Sequence, residues 1–290
     1  MTETSASDLP VSAGGFLKRH HFLLRRLHSL SGIVPVGVFV IAHLFTNAQM
    51  AWDDGGESFQ HEVDFIHSMP ALLFVEIALW SAIGFHAVLG VFYMMGWAPN
   101  NTKYEYQANW RYTMQRVTAW GALIFIFLHI ATLRWRWDLL GWHTPFYART
   151  DLAGNHGHGE AYSAVPMTMP LTAAALQYAW WVVAIYIVGV ACVVYHWSNG
   201  LWTSAITWGA TVSVAAQRRW GFACAGLGAA LAVLMAAALY GSLIYDFNDM
   251  TAEQRAAFVN IVDEPGRFLD DVDVDAPADD TDASTIEAGL

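Results

Sequence analysis

Four histidines interrupt stretches that are otherwise apolar. His43 stands near the end of "RRLHSLSGIVPVGVFVIAHLF", His86 in "GFHAVLG", His129 in "FLHIATL" and His196 in "VYHWSNGLW". An ionisable ring in such surroundings is costly and marks function. Imidazole can relay protons or ligate a metal. Only two cysteines occur, Cys192 and Cys224, too few for a disulfide scaffold or a cysteine-ligated zinc. Each reads as a small core residue.

The elements that must position these rings follow from composition. The 290 residues are 56% hydrophobic and only 13% charged, too apolar for an ordinary soluble domain. Five long apolar stretches account for this, over residues 30–51, 71–98, 117–133, 173–197 and 221–245. Each approaches or exceeds the ~20 residues that a helix needs to cross ~30 Å of hydrocarbon. Lipid offers no partner to free backbone groups, so the stretches must be helices. The expected fold is an all-α membrane protein with five transmembrane helices in a bundle.

Lysine and arginine in short flanking loops set orientation. Lys18, Arg19, Arg25 and Arg26 precede the first span. Lys103, Arg111 and Arg116 lie between the second and third, and Arg218 and Arg219 precede the fifth. The loop after the first span has no basic residue and five acids. The N-terminus is therefore expected in the cytoplasm and the C-terminus outside. Arg134, Arg136 and Arg149 in the third loop run against this rule but are outnumbered. This divides the chain into a cytoplasmic segment 1–27, a membrane domain 28–245 with an external loop 139–170, and a tail 246–290. Of the 25 acids and 14 bases, 13 acids and 2 bases lie in the tail, so the rest of the chain is neutral. The tail, with "FLDDVDVDAPADDTDAS", reads as disordered.

Depth pairs the histidines. At 1.5 Å per residue, His43 lies ~21 Å above Ser29 and His129 ~20 Å above Arg116, both in the outer half. His86 lies ~24 Å below Pro70, and His196 sits near the cytoplasmic end of its span, both in the inner half. Two imidazoles per level suit haem iron, whose porphyrin supplies four ligands. Zinc wants three or four protein ligands, and no third group stands at either depth. A haem with both axial positions filled carries electrons, so two of them would form a wire across the membrane. Each ligand needs its other ring nitrogen held by an acceptor. The carbonyls four residues earlier, on Phe39, Ala82, Phe125 and Cys192, are the candidates. Gly84, Gly90, Gly121 and Gly189 either admit flat macrocycles or serve small-residue helix packing. Arg26, His28 and Arg116 lie at the inner interface, within reach of the propionates of an inner haem, although positive-inside charge alone accounts for the arginines.

The motifs "FLLRRLHSLSGIVPVGVFVIAHL", "FVEIALWSAIGFHAVLGVF", "YEYQANWRYTMQRVT", "FLHI" and "VYHWSNGLW", followed by "TWGATVS", resemble the di-haem cytochrome b anchor of succinate:menaquinone oxidoreductases and fumarate reductases with a single five-helix anchor. The resemblance runs from about Phe22 to Tyr245. It implies two haems b, the outer ligated by His43 and His129 and the inner by His86 and His196. It also implies a bacterial cytoplasmic membrane, a flavoprotein that oxidises succinate, an iron–sulfur partner, and a quinone, menaquinone in this type, as electron acceptor. No nucleic acid is implied, and the chain would not act on succinate alone. Glu76, the only acid deep in a span, is a candidate proton donor to quinone, with Trp80 and Asn47 as weaker neighbours; a neutral, hydrogen-bonded acid is the plainer reading. In the third loop His156, His158 and Glu160 form a weak metal motif on a glycine-rich tract. Two rival readings are a quinol-oxidising di-haem anchor of another oxidoreductase, such as a hydrogenase, and a transporter that relays protons through histidines.

Overall fold

The computed structural model describes residues 11–52, 54–95, 107–133, 166–262 and 264–269. Among them every regular element is helical. Five helical segments are long and apolar enough to cross a membrane: Arg19–Ala51, Leu72–Met94, Asn109–Leu133, Trp180–Thr207 and Val214–Ile244. The expected five-span, all-α architecture is the one observed.

The first span is two helices in line, α1 (Val11–Ile33) and α2 (Pro35–Ala48), and ends in the 3-10 turn Gln49–Ala51. Pro35 lacks an N–H and fits the first turn of a new helix, so the break falls at Val34. Because α1 starts at Val11, residues 11–27, expected to precede the first span, are helical and continuous with it. The short helix α3 (Glu57–Ser68) follows, then the second span α4 (Leu72–Met94) and the third span α5 (Gln107–Leu133). Burial opposes ionisation of Asp54, but hydrogen bonds from the Ser58 side chain and the backbone of Ser58, Gly56 and Glu57 hold its carboxyl below the ordinary range, which anchors the start of α3.

The fourth span departs from its expected limits. The chain breaks at Ala179, whose backbone is extended, and separates α6 (Thr168–Gln177) from α7 (Trp180–Thr207). Apolar composition runs through the break and hides it. The fifth span, α8 (Val214–Ile244), begins with a Ser213 cap and is longer than expected. Within the bundle α7 packs most extensively on α5 and α8, and also touches α1.

Residues 246–262 and 264–269, expected to open a disordered tail, are structured. They form a 3-10 turn Phe247–Asp249, helix α9 (Ala252–Ile261) and a second turn Pro265–Arg267. Thr251 and Gln254 make a reciprocal capping box. Phe258 is wholly buried, and it joins Phe247, Met250, Val262 and Leu269 against Met167, Leu171, Ala173 and Ala174 of the α6 region. Acid count conceals these apolar anchors, because between Thr251 and Val262 the only acid is Glu253. Gln60 of α3 accepts from the Thr168 hydroxyl at 2.5 Å, and Gln254 donates to the Pro166 carbonyl at 2.6 Å. Thus α3, α6 and α9 form a cap over one end of the bundle. Residues 134–165, with His156, His158 and Glu160, and residues 270–290 lie outside the described residues.

Candidate metal centres: two histidine pairs

The helices bring the four span histidines together in two pairs. His43 on α2 and His129 on α5 have ring centres 5.9 Å apart, with planes at 74°. His86 on α4 and His196 on α7 have ring centres 6.1 Å apart, with planes at 84°. The first pair lies towards the capped end and the second towards the opposite end. A metal–imidazole bond of about 2 Å on each side, plus about 1 Å from each nitrogen to its ring centre, spans about 6 Å. Both separations fit one metal ion held between two rings. Among the described residues no three His, Cys, Asp or Glu side chains converge as a metal site, so the donor set suits a metal that brings its other ligands with it, as haem iron does.

For His86, His129 and His196 the second ring nitrogen finds its partner on a neighbouring helix, not on the carbonyl four residues earlier. His86 donates from Nδ1 to the His28 carbonyl at 2.8 Å, and His196 donates from Nδ1 to the Gln115 carbonyl at 3.0 Å. His129 Nδ1 meets the Tyr186 hydroxyl at 3.1 Å. Each such bond leaves Nε2 available for a metal. Because the rings reach across to a facing helix, their far nitrogens meet that helix and its neighbours.

A polar chain stiffens His196. Gln115 Nε2 donates to the His196 carbonyl at 3.0 Å, Asn199 Nδ2 to Gln115 Oε1 at 2.7 Å, and Arg111 Nε to Asn199 Oδ1 at 3.0 Å. At the other pair, phenylalanines four residues before each ligand stack on it: Phe39 on His43 at 5.3 Å, and Phe125 on His129 at 5.7 Å. The F-x-x-x-H spacing in both "FVIAH" and "FIFLH" is a readable signal for this pairing; the Gln115 chain has none.

Around the His86/His196 pair, several buried polar atoms have no hydrogen-bond partner: Arg26 Nε, His28 Nδ1, Arg116 Nε and Tyr93 Oη. The His28 ring stacks on His86 at 4.0 Å and 10°, and Tyr93 stands edge-on to His28 at 5.5 Å. Arg26 lies over the rings of Phe22 and Trp208, and Arg116 over Tyr112. Unsatisfied buried donors are expensive, and these suit an anionic group from outside the protein chain.

Glycine supplies close approach at places that the sequence did not single out, among them one beside a histidine. A Cβ on Gly32 would collide with the His86 ring, whereas Gly121 and Gly189 make room for Cys192 and Phe125 in ordinary helix packing. Gly84 faces open space, and Gly90 faces His28. Glu76 is half-buried in the second turn of α4. It stands about 15 Å along the helix from His86, at the level of the capped half. Asn47 donates to the His43 carbonyl at 2.7 Å, and Trp80 is exposed.

No family model matches the chain. It is 35% identical over 198 residues to the succinate dehydrogenase cytochrome b558 subunit of Bacillus subtilis (strain 168), an alignment covering 68% of this chain and 85% of that protein. Identity of that extent, on a five-span helical bundle, places the protein in the family of succinate dehydrogenase cytochrome b subunits.

Proposed function

We propose that this chain holds two haems b, one between His43 and His129 and one between His86 and His196, and links a soluble succinate-oxidising flavoprotein and its iron–sulfur partner to membrane quinone, with menaquinone as the acceptor. The observation that carries the reading is the pair of ring separations, 5.9 and 6.1 Å, at two levels of one bundle. When bound, each haem would supply a one-electron carrier.

The protein's own groups do the rest. The His28 and Gln115 carbonyls fix the tautomers of His86 and His196 and keep Nε2 turned to the metal. Arg26, His28 and Arg116 offer their unmatched donors to the propionates of the haem at the uncapped end. That end faces the cytoplasm of a bacterial cell and carries the partner subunits. Quinone is reduced towards the capped end, where Glu76 donates a proton and Asn47 and Trp80 border the site.

Visible spectroscopy of the purified membrane complex tests this reading. Two low-spin b-type components are expected. His129→Leu should delete one and His196→Leu the other. Depletion of the same component by both substitutions would overturn the pairing, and the absence of any haem spectrum would overturn the reading altogether.

A further inference from the structure

The three ring nitrogens with a described acceptor are not treated alike. His86 and His196 donate to backbone carbonyls, at 2.8 and 3.0 Å. His129 instead meets a side chain, the Tyr186 hydroxyl, at 3.1 Å, with the two ring centres 5.7 Å apart and the planes at 78°. Tyr186 also stands edge-on to Phe125, which itself stacks on His129. The hydroxyl is held there by packing, in the cluster that Leu176 and Val182 form with Leu128, Ile185 and Leu239.

We propose that Tyr186 is a positioning and tuning residue for the His43/His129 centre, accepting the Nδ1–H of His129 and thereby setting the electron density that this ligand offers its metal. The inference rests on the haem reading above. An imidazole whose Nδ1–H is engaged is a more basic ligand, and a more basic ligand favours the oxidised metal. A phenol oxygen is a single neutral acceptor on a side chain, so unlike a carbonyl it can be removed by one substitution. Tyr186 also fixes which nitrogen carries the proton, because His129 must keep Nε2 bare to bind metal.

Tyr186→Phe keeps the ring and removes only the oxygen. A hydrogen bond of ordinary net strength corresponds to about a fivefold change in an equilibrium. The variant should therefore show about fivefold more reduced over oxidised form at a fixed ambient potential in the component that His129→Leu deletes. The component that His196→Leu deletes should keep its titration. The low-spin electron-resonance signal of the affected haem should also move, which a purely structural filler would not cause.

Three results would overturn the proposal: titrations unchanged in both components, equal shifts in both, or loss of the affected component while the other stays intact, the last assigning Tyr186 to packing alone. Failure of the haem reading itself is distinguishable, because the unsubstituted protein would then lack two separable components.

Discussion

At the scale of single residues, the surroundings of the His86 ring are the sharpest constraint. The ring is stacked by His28 and tethered through Nδ1, and Gly32 leaves no space for a side chain beside it. Gly32→Val should push His86 off its position and deplete only the component that His196→Leu depletes. Spectra of the purified complex check this, and survival of both components at full intensity would show that His86 does not need that position. The four histidines themselves were legible in the sequence, because an imidazole in an apolar stretch is too costly to keep unless a metal or a proton path uses it. Their acceptors were not, because every residue offers a carbonyl, and only the packed bundle decides which carbonyl faces which ring. Gly121 and Gly189 left two readings open for a related reason: a glycine shows that something comes close, not what, and here the neighbours are Cys192 and Phe125, as in small-residue helix packing.

At the scale of elements, α7 meets both histidine pairs, carrying His196 of one and, about 15 Å away along the helix, Tyr186 beside His129 of the other. The spans were legible from length and hydropathy, which lipid enforces strongly. The cap was not. Its helices are short, and the apolar run of α6 merges in sequence with that of α7. Within α9 the chemistry is that of a small soluble core. Arg267 closes the cap by donating to the Tyr178 carbonyl at 3.1 Å and lying 4.3 Å from the centre of the Tyr178 ring. Phe258 is its keystone, buried against Phe247 and Phe268. Phe258→Ala should cost about 3–5 kcal/mol locally, enough to detach α9 while the spans stay folded. Limited proteolysis should then cut between Asp246 and Leu269 at a protease level that leaves the unsubstituted protein whole, with both spectral components retained. Equal resistance of the two proteins would mean that the cap is held by something other than this core.

At the scale of the whole molecule, the two histidine pairs lie one above the other, and on the proposed reading the end rich in basic residues faces the cytoplasm. Electrons from a cytoplasmic donor would enter near His86 and His196 and leave near His43 and His129, moving from the negative to the positive side of the membrane. A full crossing is worth ~2.3 kcal/mol per 100 mV for each charge. On the same proposal, protons taken up from outside at Glu76 would complete the same net movement. Menaquinone, the acceptor proposed above, is a weak acceptor for the electrons of succinate, and this gain would make an otherwise uphill step possible. Succinate:quinone activity in intact cells should therefore fall when the membrane potential is collapsed by an uncoupler, while the reverse reaction should not. Glu76→Gln should slow quinone reduction by about tenfold or more and leave both haems bound and reducible by succinate, as seen in the visible spectrum. Activity indifferent to the uncoupler, together with a silent Glu76→Gln, would move quinone reduction to the cytoplasmic end. The upper histidine pair would then lie off the electron path, and the capped end would have to serve some purpose other than quinone chemistry.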